Sequence, residues 1–169
     1  IEGELPAIEK FVIIAAPHTS NWDFPITLGV AFALKMKIYW MGKISLFNWP
    51  LGGVLRWLGG IPIDRSQSRN TVEQAIRAFG EREKLIMVIP PEGTRKKVGH
   101  WKTGFYHIAR GANVPIVLGF LDYRRKVGGI GPAFHPTGCM EEDIREIKTF
   151  YAAITGKRQD LFGNAALKT

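Results

Sequence analysis

One cysteine, Cys139, stands in 169 residues, so no internal disulfide can form and the chain suits a reducing compartment. No apolar run approaches the roughly 20 residues of a membrane span. The nearest candidate, Phe24 to Leu34, is closed by Lys35 and Lys37. No secretory signal pattern opens the chain, and the first residue is Ile1, which leaves room for an upstream segment such as a membrane anchor. There is no Gly-x-Ser-x-Gly elbow, no phosphate loop ending in Gly-Lys-Ser/Thr, and no Gly-x-Gly-x-x-Gly. Internal repeats, low-complexity tracts and linkers are also missing.

What is present reads as one globular domain over residues 1–169, long enough to bury a core, with 46% apolar and 22% charged residues. The net charge of +8 is concentrated. Residues 86–130 hold eight Lys or Arg against Glu92 and Asp122, which is six of the eight excess charges. Such a segment argues for an anionic partner: a phosphate ester, nucleic acid or anionic lipid.

Pattern then gives elements. Phe11–Ile14, Ile38–Met41, Leu85–Ile89 and Val114–Leu121 read as strands, with a short one within Gly59–Arg65. Asn21–Lys37, Ser68–Lys84, Lys102–Arg110 and Met140–Tyr151 read as helices, and Gly128–Pro136 as loop or irregular strand. Leu46–Leu58 has two readings. It is either a core helix or an interfacial segment with Trp49 and Trp57 at headgroup level and Arg56 snorkelling. Alternation of strand and helix predicts an α/β layered fold with a mostly parallel sheet flanked by helices.

The stretch Phe11–Asp23, FVIIAAPHTSNWD, places His18 where a strand hands over to a helix, with Asp23 five residues on. Ser20 to Asp23 has the Ser-x-x-Asp spacing of a helix start. A carboxylate folded back onto an imidazole fixes its tautomer and leaves the other nitrogen free to take a proton. The plainer reading is that Asp23 caps the helix and His18 caps a loop. Glu92-Gly93-Thr94-Arg95 offers a glycine for close approach, a hydroxyl and a guanidinium fork suited to phosphate. Its plainer reading is a Glu92–Arg95 pair on a solvated loop. His18, Arg65 and Glu92–Arg95 each follow a predicted strand, and parallel sheets collect their chemistry at carboxyl ends. Cys139 reads as an inert small hydrophobe, and His100, His107 and His135 lack the spacing of a metal site.

Taken together, four blocks resemble the glycerolipid acyltransferase family, typified by 1-acylglycerol-3-phosphate O-acyltransferases. They are His18-Thr19-Ser20-Asn21-Trp22-Asp23, Gly59 to Arg65, Pro91-Glu92-Gly93-Thr94-Arg95 and Val114-Pro115-Ile116-Val117, in family order. Pro90, Leu118 and Trp22 depart from the commonest forms of these blocks. The resemblance implies a glycerol-3-phosphate acyltransferase-like fold, with His18 and Asp23 as a general-base dyad. It implies that Arg65, Glu92, Gly93, Thr94 and Arg95 bind the phosphate and glycerol of a lysophospholipid. From the residues alone, the carboxylate of Glu92 cannot bind phosphate, and accepting from a hydroxyl or holding Arg95 suits it better.

The donor implied is acyl-CoA or acyl-ACP, a co-substrate, with no cofactor and no metal. Implied partners are the lysophospholipid, the donor and a membrane surface, with no nucleic acid. The implied place is the cytoplasmic face of a membrane, peripheral or anchored upstream of Ile1. Three alternatives stand beside this: a family enzyme acting on another lysolipid or an aminolipid, a family member without activity, and a non-catalytic basic module binding membrane or nucleic acid.

Overall fold

The computed structural model describes residues 1–64, 68–94, 100–158 and 166–167. Its centre is a pair of parallel strands, β1 (Lys10–Ala16) and β4 (Leu85–Ile89), both expected from their apolar runs. Around them stand β2 (Ile38–Lys43), β3 (Gly60–Ile63), β6 (Ile116–Asp122) and β7 (Val127–Phe134). The order across the sheet is β3-β2-β4-β1-β6-β7, parallel throughout except for β7, which runs antiparallel to β6. The expected α/β layered architecture is borne out.

Side chains alternate across such a sheet. Val12 and Ile14 enter the larger core, with Ala75 and Phe79 of α3 (Ser68–Gly80), Phe105 and Ile108 of α4 (Gly104–Gly111), and Ile144 and Ile147 of α5 (Met140–Tyr151). Phe11 and Ile13 point the other way, into a smaller cluster with Val117 and Ile130. Leu34 and Met36, just past α1 (Asp23–Ala33), pack on that second cluster. Each buried Leu, Ile or Phe of this kind contributes about 1.5–3 kcal/mol. One face is therefore thickly covered, and the other is thinly covered.

Two stretches left open resolve. Gly128–Pro136, read as loop or irregular strand, is edge strand over most of its length, and its pairing with β6 shifts register between Val117 and Gly119. Leu46–Leu58, read as core helix or interfacial segment, divides between a 3-10 turn at Ile44–Phe47 and a short α2 (Gly52–Trp57), with Phe47 buried and Trp49 and Trp57 exposed. A two-residue β5 (His100–Trp101) pairs with β8 (Ala166–Leu167) in a separate small sheet.

The connections decide where a site can form. The chain leaves β1 through α1 towards β2 and leaves β4 through α4 towards β6, in opposite directions from neighbouring strands. A crevice opens at such a switch point, beyond the carboxyl ends of the strands. His18 follows β1, and Glu92 follows β4.

Candidate active site

His18 stands two residues past β1, on a loop that Asp23 folds into shape. Asp23 Oδ2 accepts hydrogen bonds from the backbone N–H groups of Thr19 and Ser20, each at 2.8 Å. The same oxygen lies 3.2 Å from His18 Nδ1. Asp23 is the first residue of α1, whose N-cap is Trp22 without a side-chain cap bond, so its carboxylate turns back to the loop and the histidine rather than onto the helix end. With Nδ1 donating to the carboxylate, Nε2 is left to accept a proton.

Asp23 is buried, and it is satisfied. Burial works against its charge, yet the bonds from His18, Tyr123 and the Ser20 N–H outweigh it and hold the carboxyl below the usual range. Its second oxygen, Oδ1, accepts from the Tyr123 hydroxyl at 2.6 Å. Burial and the adjacent carboxylate push the Tyr123 phenol well up, so it remains a donor.

Glu92 lies behind the histidine. Its Oε1 accepts from the His18 backbone N–H at 3.1 Å, while Oε2 is buried with no hydrogen-bond partner among the described residues. Burial pushes this carboxyl up, and the nearby Asp23 charge adds to the effect. Gly93 follows at φ +64°, a conformation that L side chains rarely adopt. A Cβ there would meet Cδ, Cε and Nζ of Lys102 at 3.0 Å, so the glycine lets that ammonium lie against the loop. The Lys102 backbone is tied in turn to Pro91 O at 2.8 Å.

His18, Asp23, Gly93, Thr94 and Lys102 line one cavity of about 1470 Å³. Its walls also carry Ile13, Val30, Met36, Ile38, Val88 and Ile130, so a polar mouth continues into apolar space. Among the described residues, no group of three or more His, Cys, Asp or Glu is placed to hold a metal ion.

Of the residues read from sequence, His18, Asp23, Gly93 and Thr94 line this cavity, and Glu92 is joined to them through the His18 backbone. Arg65 and Arg95 lie outside the described residues. Glu92 touches the His18 backbone rather than the cavity. Cys139, read as a small hydrophobe, is exposed at the N-cap of α5. Sequence reasoning passed over Tyr123 and Lys102. Tyr123 follows β6 directly, and the carboxyl-end rule that singled out His18 picks it out equally well.

The segment after α5 crosses this loop. Tyr123 N–H donates to Thr155 O at 2.9 Å, and Arg158 N–H donates to Thr19 Oγ1 at 3.2 Å. Gly156 lies so close that a Cβ would meet Pro17 Cγ and Thr19 Oγ1 at 3.0 Å. Beneath, Tyr151 OH contacts Ile14 O at 3.0 Å and Gly119 O at 2.9 Å.

Comparison with known proteins follows the same outline. A sequence profile of the Acyltransferase family matches residues 2–117. A 1-acyl-sn-glycerol-3-phosphate acyltransferase of Haemophilus influenzae is 31% identical over 127 residues, covering 69% of this chain and 51% of the relative. One of the same description from Escherichia coli is 32% identical over 112 residues, covering 62% and 44%. The chain thus spans about half the length of the curated relatives it matches. The crystal structure of the 1-acyl-sn-glycerophosphate (LPA) acyltransferase PlsC from Thermotoga maritima shares the fold. Its TM-score is 0.60 at 20% identity, covering 92% of this chain and 73% of that one.

Proposed function

Because the chain belongs to the Acyltransferase family, we propose that it moves a fatty acyl group from a thioester to the free hydroxyl of 1-acylglycerol-3-phosphate, giving phosphatidic acid. The observation that carries this reading is the contact of His18 Nδ1 with the buried Asp23 carboxylate, 3.2 Å long, in the wall of a mostly apolar cavity.

His18 Nε2 takes the proton of the acceptor hydroxyl as its oxygen attacks the thioester carbonyl. Asp23 supports the imidazolium that forms. The tetrahedral intermediate expels the thiolate, which takes the proton back from His18. An ester bond forms and a thioester bond breaks, and the step balances without a metal or redox group. The donor is acyl-CoA or acyl-ACP, acting as co-substrate.

Gly93, Thr94 and Lys102 line the end of the cavity suited to the acceptor's phosphate. Family resemblance adds Arg65 and Arg95 there. Glu92 serves by fixing the His18 backbone. The apolar wall of Ile13, Val30, Met36 and Val88 suits an acyl chain.

The lipid is drawn from a bilayer surface, on its cytoplasmic face, with the protein held peripherally or by an upstream anchor. The support is a set of exposed apolar side chains and a run of sequence with cations alone. Trp22, Phe32, Trp49, Leu51 and Trp57 are all exposed, Trp49 by 93%. Residues 24–63 contain Lys35, Lys37, Lys43 and Arg56 and no acidic residue. Tryptophans at headgroup depth among cations suit anionic lipid. Among the described residues, no helix is long and apolar enough to cross a membrane.

The test is thioester consumption with and without lysophosphatidic acid, the product being identified by mass. His18→Ala is expected to fold normally and lose about 10²-fold or more in kcat, the usual loss with a positioned base. Near-full activity in that variant, or turnover indifferent to the acceptor, would overturn the assignment.

A further inference from the structure

We infer that Tyr123 is a positioning residue of this site: its hydroxyl seats the Asp23 carboxylate so that the opposite oxygen faces His18. The inference rests on the base assignment of His18. It extends the site past residue 117, where the family match ends.

The two oxygens of Asp23 are supplied unequally. Oδ2 receives the Thr19 and Ser20 N–H groups and faces His18 Nδ1. Oδ1 receives the Tyr123 hydroxyl, at 2.6 Å. A carboxylate held through one oxygen can still turn about its own axis, and a bond to the second oxygen fixes its plane. The phenol is itself fixed, because its residue leaves β6 directly and its N–H is tied to Thr155 O. It also sets how much negative charge reaches the histidine. A donor on Oδ1 draws charge from Oδ2 and so limits how strongly the carboxylate favours a protonated ring.

The titratable and charged groups around the pair come from separate elements. Asp23 is the first residue of α1, Glu92 lies on the loop after β4, and Tyr123 follows β6. Lys157, beyond α5, has Nζ 6.0 Å from the Tyr123 ring centre and 5.1 Å from that of Trp22. Glu92 holds the His18 main chain, and Lys157 faces rings. Among the described residues, Tyr123 is the group that bonds Oδ1.

Two variants of the full chain test this, Tyr123→Phe and one carrying 3-fluorotyrosine at 123. Each is assayed with an acyl-CoA and lysophosphatidic acid across the pH range, beside wild type and His18→Ala. Tyr123→Phe is expected to lose about tenfold in kcat, the scale of one hydrogen bond to a charged group, with acceptor KM within about twofold. The acid limb of its rate profile should move to higher pH, because Oδ2 then carries more charge. Fluorotyrosine keeps the shape and donates more strongly, so its acid limb should move to lower pH. A general loosening of the fold predicts no such opposed shifts.

If wild type is active and His18→Ala is not, an acid limb unmoved in the fluorotyrosine protein overturns the inference alone. That arm decides even where Tyr123→Phe fails to fold. If His18→Ala keeps its activity, the base reading falls and this inference falls with it.

Discussion

The backbone N–H of His18 donates to Glu92 Oε1 at 3.1 Å, across 74 residues of sequence. Two neighbouring parallel strands, β1 and β4, bring their following loops to that contact. The imidazole is thereby fixed from both sides, by Asp23 at the ring and by Glu92 at the main chain.

Glu92 carries a cost in stability. Its folded carboxyl titrates above the ordinary value of 4.5, mainly through burial. Stability linked to it is full below the unfolded value and falls as pH rises through the folded one. The melting temperature of Glu92→Gln relative to wild type should therefore climb as pH rises above the ordinary carboxyl value of 4.5. A difference that stays flat by differential scanning fluorimetry would remove the buried-charge account.

Asp23 has the opposite sign. Its lowered titration contributes stability above the unfolded value of 3.8, lost as pH falls through the folded one. Asp23→Asn puts a donor where three are already offered to Oδ2, and cannot support an imidazolium. We expect kcat to fall by about 10²–10⁴-fold, with acceptor KM little changed. Initial-rate kinetics check this, and a loss confined to KM would contradict it.

Lys102 and Gly93 form one prediction. Lys102→Met keeps the stem and removes the charge, so acceptor KM should rise about tenfold with Tm unchanged. Gly93→Ala should do the same and also lose about 1–2 kcal/mol, since alanine is strained at φ +64°. Urea unfolding and lysophosphatidic acid titration separate the two. Unaltered KM in both variants would move the phosphate elsewhere.

The tryptophan face has its own measurement. Trp49→Ala and Trp57→Ala should each reduce partition into anionic vesicles by about tenfold, the scale of burying one large side chain. Soluble activity on a dispersed short-chain acceptor should persist. Equal sedimentation of wild type and double variant with phosphatidylglycerol vesicles would discard this surface.

Much of this was legible in the chain because a strand followed by His-x-x-x-x-Asp is a local pattern. Phe11–Ile14 and Leu85–Ile89 announce themselves as strands, and their carboxyl ends carry His18 and Glu92. β7 was harder to read, since Gly128, Gly129 and Gly131 weaken any strand signal. The structure gives the reason: a Cβ at Gly129 would lie 2.3 Å from Glu2 O. Tyr123 escaped because nothing in its own neighbourhood names Asp23, and only the parallel order β4-β1-β6 brings them together. Leu46–Leu58 could not be read as one element because it is split, Phe47 turning inward and Trp49 outward.

The bond from Tyr123 to Asp23 spans 100 positions, and that from Arg158 to Thr19 spans 139. A ribosome therefore releases the imidazole long before the groups that brace its carboxylate and clasp its loop. A polypeptide broken off before Tyr123 holds its histidine beside a carboxylate that lacks this donor on Oδ1.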